Sequence, residues 1–156
     1  MIKKYLSESK IFQEFDKKEL KFLEENAALL SFEKDEFIFF EHDKADNFYI
    51  LLDGEASLKI LSQERGLITI ENIRKNEIIG WSWLNEPFIW KFSCMIDKPS
   101  TILAFNADAI RKEMETNAKF GYKVQKIFIK IMAERLYATR MRLYKEMGDN
   151  IYIREY

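Results

Sequence analysis

The chain has 156 residues, with 25 Lys and Arg against 26 Asp and Glu, for a formal net charge of −1. Signs so evenly interspersed give no electrostatic reach for DNA, whose binding rests on neutralising phosphates, and an aromatic content of 15% excludes a disordered chain. Cys94 is the single cysteine, so no intramolecular disulfide can form and a reducing, cytoplasmic setting is expected.

The length fits one domain able to bury roughly 68–70% of its unfolded surface. The opening MIKKYLSESK has two lysines but no apolar run long enough for a signal peptide, and no later stretch approaches a membrane span. Up to about Leu30, the residues Leu6, Ile11, Phe12 and Phe15, then Leu20, Phe22 and Leu23, recur at helical spacing. Two short helices are expected, the second started by a capping box of Asp16 and Glu19.

Phe37 to Phe40 is too short for a helix and rich in strand formers. Asn47 to Leu52 and Glu55 to Leu61 read as strands, and the Asp53-Gly54 pair between them predicts a tight hairpin. Leu67 to Ile73 follows the loop SQERG, and Ser93 to Ile96 and Thr101 to Phe105 complete the strands on either side of Pro99. Many short strands with tight turns make the chain mainly β with flanking helices, a small antiparallel barrel or jelly roll.

Inside this pattern lies the stretch from Ile78 to Phe92. Gly80 breaks a strand and is followed by Trp81, Ser82 and Trp83, then Phe88, Trp90, Lys91 and Phe92. A glycine allows positive φ or close approach by a ligand, and amides in such an excursion can cradle an anion. Two readings stay open: the rings line a pocket, or they are core, where large aromatics dominate burial.

After Phe105 the period changes to that of helices, short from about 107 to 116 and long from about 118 to 147, leaving a tail at 148–156. Phe120, Val124, Ile127, Ile131, Ala138 and Met141 form an apolar stripe, widened by Phe128, Met132, Leu136, Thr139 and Leu143. So wide a stripe exceeds what one small barrel covers, so a homodimer through this helix is expected. Lys119, Lys123, Lys126 and Lys130 follow one helical face, read as its solvated outside.

This order of elements, with the hairpin segment FYILLDGEASLKI and the helical segment MAERLYATRMRL, resembles the cyclic-nucleotide-binding domain of catabolite-activator and fumarate-nitrate type regulators. The resemblance covers roughly Leu6 to Met147 and implies an eight-stranded double-stranded β-helix over about 30–106 within a single domain, 1–147. In the family, the insertion after the glycine is a phosphate-binding cassette that opens Gly-Glu and closes with Arg and a small residue. The Glu accepts the ribose hydroxyl and the Arg pairs with the cyclic phosphate. Here Gly80 is kept, Trp81 stands in the Glu position, Lys91 falls near the Arg and Phe92 replaces the small residue. Thr139 matches the threonine that meets the purine, or is a polar residue tolerated on a helix seam.

Trp donates only through its indole N–H, and Lys lacks the planar fork of Arg. The expectation is a non-enzymatic ligand-sensing module that does not bind cyclic AMP or cyclic GMP in the usual mode, its candidate ligand-binding residues being Gly80, Trp81, Ser82, Trp83, Lys91, Phe92 and Thr139. A small anionic or nucleotide-like ligand is open; no cofactor and no metal is expected. The alternative is an interaction or scaffold subunit whose rings fill the old pocket. His42 stands alone as an imidazole, and no nucleophile and base pair up. A regulated partner protein fits either reading. The nine residues after Met147 are too short for a helix-turn-helix module, so direct DNA reading is not expected.

Overall fold

The computed structural model describes residues 1–148. Helix α1 (Ile2–Glu8), a single 3₁₀ turn at Lys10–Phe12 and helix α2 (Lys17–Glu25) form the N-terminal segment. The expected capping box opens α2: the Asp16 carboxylate accepts from the N–H groups of Lys18 and Glu19, both at 2.9 Å, and Glu19 accepts from the Asp16 N–H at 2.7 Å.

Six antiparallel strands follow: β1 (Ala27–Phe32), β2 (Phe37–Phe39), β3 (Asn47–Ser62), β4 (Gly66–Ile73), β5 (Ile78–Ile79) and β6 (Ser93–Asn106). They run in the order β1-β6-β3-β4, with β2 also on β6 and β5 also on β3. The eight strands expected become six because two pairs merge. Asp53-Gly54 makes no hairpin turn; it lies inside β3, at a register irregularity opposite β6. The segments on either side of it pair with successive stretches of β6, not with each other, so the positive φ of Gly54 (+97°) serves a bulge.

Pro99, which has no N–H to give a ladder, lies in β6 at the same irregularity. A Cβ on Gly54 would lie 2.1 Å from Ser100 Oγ and 2.6 Å from the Pro99 carbonyl oxygen. The true hairpin turn is Ser62 to Gly66, where Leu61 faces Leu67.

The core is built from Ile50, Leu51, Ile79, Ile96, Ile102 and Leu103, all buried. An aromatic chain links the layers: Phe12 meets Phe105 at 5.9 Å between ring centroids, Phe105 stacks on Phe48 at 4.5 Å, and Phe15 and Phe22 both meet Phe120 edge-on at 5.6 Å. Helix α3 (Ala107–Thr116) is capped by the Asn106 side chain and α4 (Ala118–Glu146) by that of Asn117.

Only the first three turns of α4 are buried, through Phe120, Val124 and Phe128. The lysine face departs from expectation. Lys123, 12% exposed, pairs at 2.6 Å with Glu19, 8% exposed, and Lys126 reaches Glu14 at 2.8 Å. Half of that face is therefore fastened to the N-terminal segment, because two carboxylates there stand opposite it; Lys119 and Lys130 are exposed.

The bulge gives a stability test. Gly54→Ala should lose about 3 kcal/mol in urea denaturation, from left-handed strain plus overpacking. Gly66→Ala, also at positive φ but with nothing within 4 Å, should lose only about 1 kcal/mol. Equal losses would mean that the Ser100 contact is not limiting.

Candidate ligand-binding site

The cassette begins where β5 ends. Ile78 and Ile79 are buried against Ile50 and Tyr49 of β3, Gly80 turns the chain at φ +72°, and a 3₁₀ turn spans Ser82–Leu84. Its far limb is zipped to the loop after β2: Trp90 N–H donates to the Asp43 carbonyl at 2.9 Å, and the Phe88 carbonyl accepts from Ala45 N–H at 2.7 Å. The cassette is held at both ends, which fixes where its rings point.

Trp83 is fully buried, stacked on Phe48 at 4.7 Å and edge-on to Phe128 of α4 at 5.1 Å, with its indole N–H unpartnered. Trp90 is buried as well, lying flat on Phe39 at 3.8 Å with Tyr49 beside it. Its ring occupies the space that the missing side chain of Gly80 leaves. A Cβ on Gly80 would come 2.3 Å from Trp90 Cζ3. The glycine expected to let a ligand approach instead admits a tryptophan of its own chain.

Trp81 is half-buried under a residue that the sequence reading missed. The Arg135 guanidinium of α4 sits 5.3 Å from the Trp81 ring centroid, its Nε 2.8 Å from Glu71 Oε1, and it donates to the Ile78 carbonyl. The buried Nη1 of Arg135 has no partner. Arg135 therefore ties α4 to β4, to β5 and to the first ring of the cassette.

Of the other expected residues, Ser82 and Phe92 are half-buried, while Lys91 and Thr139 are exposed. The structure thus brings Gly80 and Trp83 into one packed cluster around the cassette, with Trp81 at its edge, and leaves Lys91 and Thr139 at the surface. Arg135 is four residues before Thr139, on the same helical face, and that spacing was the signal available in the sequence. Cys94, at the core, has its thiol pushed up by burial and by the neighbouring Asp97 and Glu71 carboxylates, which leaves it inert.

A separate groove of about 720 Å³ runs between the Lys10–Phe15 segment, the turn Arg74–Ile78 and one face of α4. Glu71 and Arg135 stand where the groove meets the cassette. Among the described residues, no group of three or more His, Cys, Asp or Glu side chains converges as a metal site would require, and no helix is long and apolar enough to cross a membrane.

Burial holds the Glu71 carboxyl above its ordinary value of 4.5, with Arg135 pulling it back. The native state then binds that proton more tightly than the unfolded chain, so stability from this group is present at low pH and lost as pH rises through the raised native value. Urea midpoints between about pH 4 and about pH 7 should fall for the native chain relative to Glu71→Gln. A pH-independent difference would contradict the burial of this carboxyl.

The family model for the cyclic nucleotide-binding domain matches residues 29–117, more than half of the chain. No curated protein sequence matches it. Among solved structures, it is similar to a protein of Geobacter metallireducens GS-15 assigned to the cyclic nucleotide-binding proteins, at 25% identity and a TM-score of 0.79, over 87% of this chain and 98% of that one. A cyclic nucleotide-binding domain of Methylobacillus flagellatus KT superposes at a TM-score of 0.77 with 20% identity, over 99% and 84% of the two chains. The sensor domain of the transcriptional regulator DNR of Pseudomonas aeruginosa shares the fold at 14% identity and a TM-score of 0.66, over 97% and 99%. With the roll, the glycine-led cassette and the terminal helix all in place, the chain belongs to the cyclic nucleotide-binding domain family.

Proposed function

We propose that the chain is a non-catalytic regulatory module that works through a pair of long helices and does not hold cyclic AMP or cyclic GMP in the family's usual manner. The observation that carries this reading is the seating of Trp90 against Gly80. A nucleotide in that space would have to lift the ring from Phe39 and Tyr49. Trp81 offers no acceptor for a ribose hydroxyl, and Lys91 is exposed. Each polar group left buried without its partner costs about 1–3 kcal/mol, so two such losses lower affinity by roughly two to four decades.

Of the two readings, a sensor with its ligand in the cassette or an interaction subunit with a filled cassette, the inward packing of Trp83 and Trp90 favours the second. Trp81, Phe88 and Phe92 complete the filling from half-buried positions. The setting is the cytoplasm, and the role is regulation of a partner protein. The presence of a sensor domain of a transcriptional regulator among the similar folds supports the regulatory character.

The helix pairing rests on a second observation. Tyr122, Ile129, Leu136 and Leu143 are spaced seven residues apart along α4 and are 65%, 62%, 52% and 55% exposed. An apolar seam at heptad spacing is covered when a second copy lays the same helix against it. Arg135 then supplies the link between cassette and seam. Whatever binds one arrangement of the cassette better shifts the guanidinium over Trp81, and with it the helix.

Calorimetry should detect no binding of cyclic AMP or cyclic GMP at concentrations of about 100 μM; a micromolar dissociation constant for either would overturn the filled cassette. Light scattering should return a dimer mass for the native chain and a monomer mass for Leu136→Arg, which places a charge at the centre of the seam. A native monomer would remove the paired helix.

A further inference from the structure

We propose that the groove between the N-terminal segment and α4 binds a small amphipathic anion, an apolar body carrying one carboxylate, phosphate or sulfonate head. Its volume of about 720 Å³ falls within the roughly 300–1,000 Å³ of small-molecule sites. Its walls are fixed: the Lys123–Glu19 and Lys126–Glu14 pairs fasten one side to α4, and the Arg135–Glu71 pair fastens the other. The floor is apolar, with Ile11 and Phe15 from the N-terminal segment, Ile78 from β5, and Ile127 and Ile131 from α4.

The charge balance selects the sign of the ligand. Seven cationic side chains line the groove against four carboxylates, and Glu19 behind Lys123 makes five. Seven minus five leaves two positive charges in excess, on a chain whose formal net charge is −1. Lys126, Lys123, Arg135 and Lys130 have carboxylate partners within 4.0 Å. Lys10, Arg74 and Arg142 remain without a carboxylate within 4.0 Å among the described residues; Glu77 accepts from the Arg74 backbone N–H, and Glu71 lies near enough to Arg142 to feel its charge.

Arg142 gives one donor to the Ile70 carbonyl at 2.9 Å, leaving the rest of its fork available. The buried, unpartnered Nη1 of Arg135 is at the same wall. Guanidinium groups arranged in this way suit a planar or tetrahedral oxyanion, which takes two parallel hydrogen bonds. An apolar floor with a cationic rim at one end is complementary to an apolar body with an anionic head. The site lies outside the cassette and does not depend on whether the cassette is filled.

The test uses the full chain and anilinonaphthalene sulfonate, an aromatic body with one sulfonate head, read by fluorescence. Saturable binding should be displaced by decanoate and not by equal concentrations of inorganic phosphate. Arg74→Gln/Arg142→Gln, both at exposed positions, should weaken it about tenfold or more, the scale of losing charge-assisted contacts, with the fold checked by circular dichroism. If that variant unfolds, Lys10→Gln/Lys130→Gln, one on the N-terminal segment and one on α4, reads the same charge. Leu136→Ser, on the exposed seam of α4, should leave the affinity unchanged. Three results would overturn the proposal: no saturable binding, displacement by phosphate alone, or a dye that responds to Leu136→Ser and not to the cationic variants.

Discussion

The contact on which the functional side of this molecule depends is the one between the Trp90 ring and the bare α-carbon of Gly80. It is a steric fact before it is a functional one. Two atoms cannot share the space, so a side chain or ligand group placed at that α-carbon would have to displace a ring that lies on Phe39 and beside Tyr49. The zip between Trp90 and Asp43 and between Phe88 and Ala45 makes that eviction a rearrangement of backbone as well as of side chain. The family's fold is present, and the stretch after Gly80 packs Trp83 and Trp90 inward.

Much of the fold could be read from local chemistry. The Asp16 and Glu19 capping box needs only three residues of separation, and the break at Asn117 between α3 and α4 is a side-chain cap. The Asp53-Gly54 pair shows where local reading stops. A glycine at positive φ serves a hairpin or a bulge equally well, and the choice is made by β6, which offers both flanking segments a partner more than thirty residues away. The lysine face of α4 was misread for the same reason: Glu14 and Glu19 come over a hundred residues before their partners, in another layer of the fold.

The candidate site was legible in part. Gly80, Trp81 and Trp83 stood out because a glycine followed by large rings is an unusual interruption of a strand. Whether the rings pointed inward could not be decided from spacing, since it depends on Phe39, Phe48 and Phe128, which arrive from β2, β3 and α4. Spacing alone puts Arg135 on the face of Thr139 and does not say what it does there, for a related reason. Its meaning lies in Glu71 and the Ile78 carbonyl, and neither is near it in the chain.

The two long ribbons β3 and β6 have a mechanical consequence. Each passes without interruption through both halves of the roll, bending together at Gly54 and Pro99. Because both ribbons are common to the two halves, one half cannot slide over the other without breaking the pairing of β3 with β6. Around the roll, the N-terminal segment, the excursion after Gly80 and the first turns of α4 are joined through aromatic rings as well as ion pairs, while the later turns of α4 reach it through Arg135 and Arg142. A displacement of those later turns against the roll would therefore be felt first at two guanidinium groups.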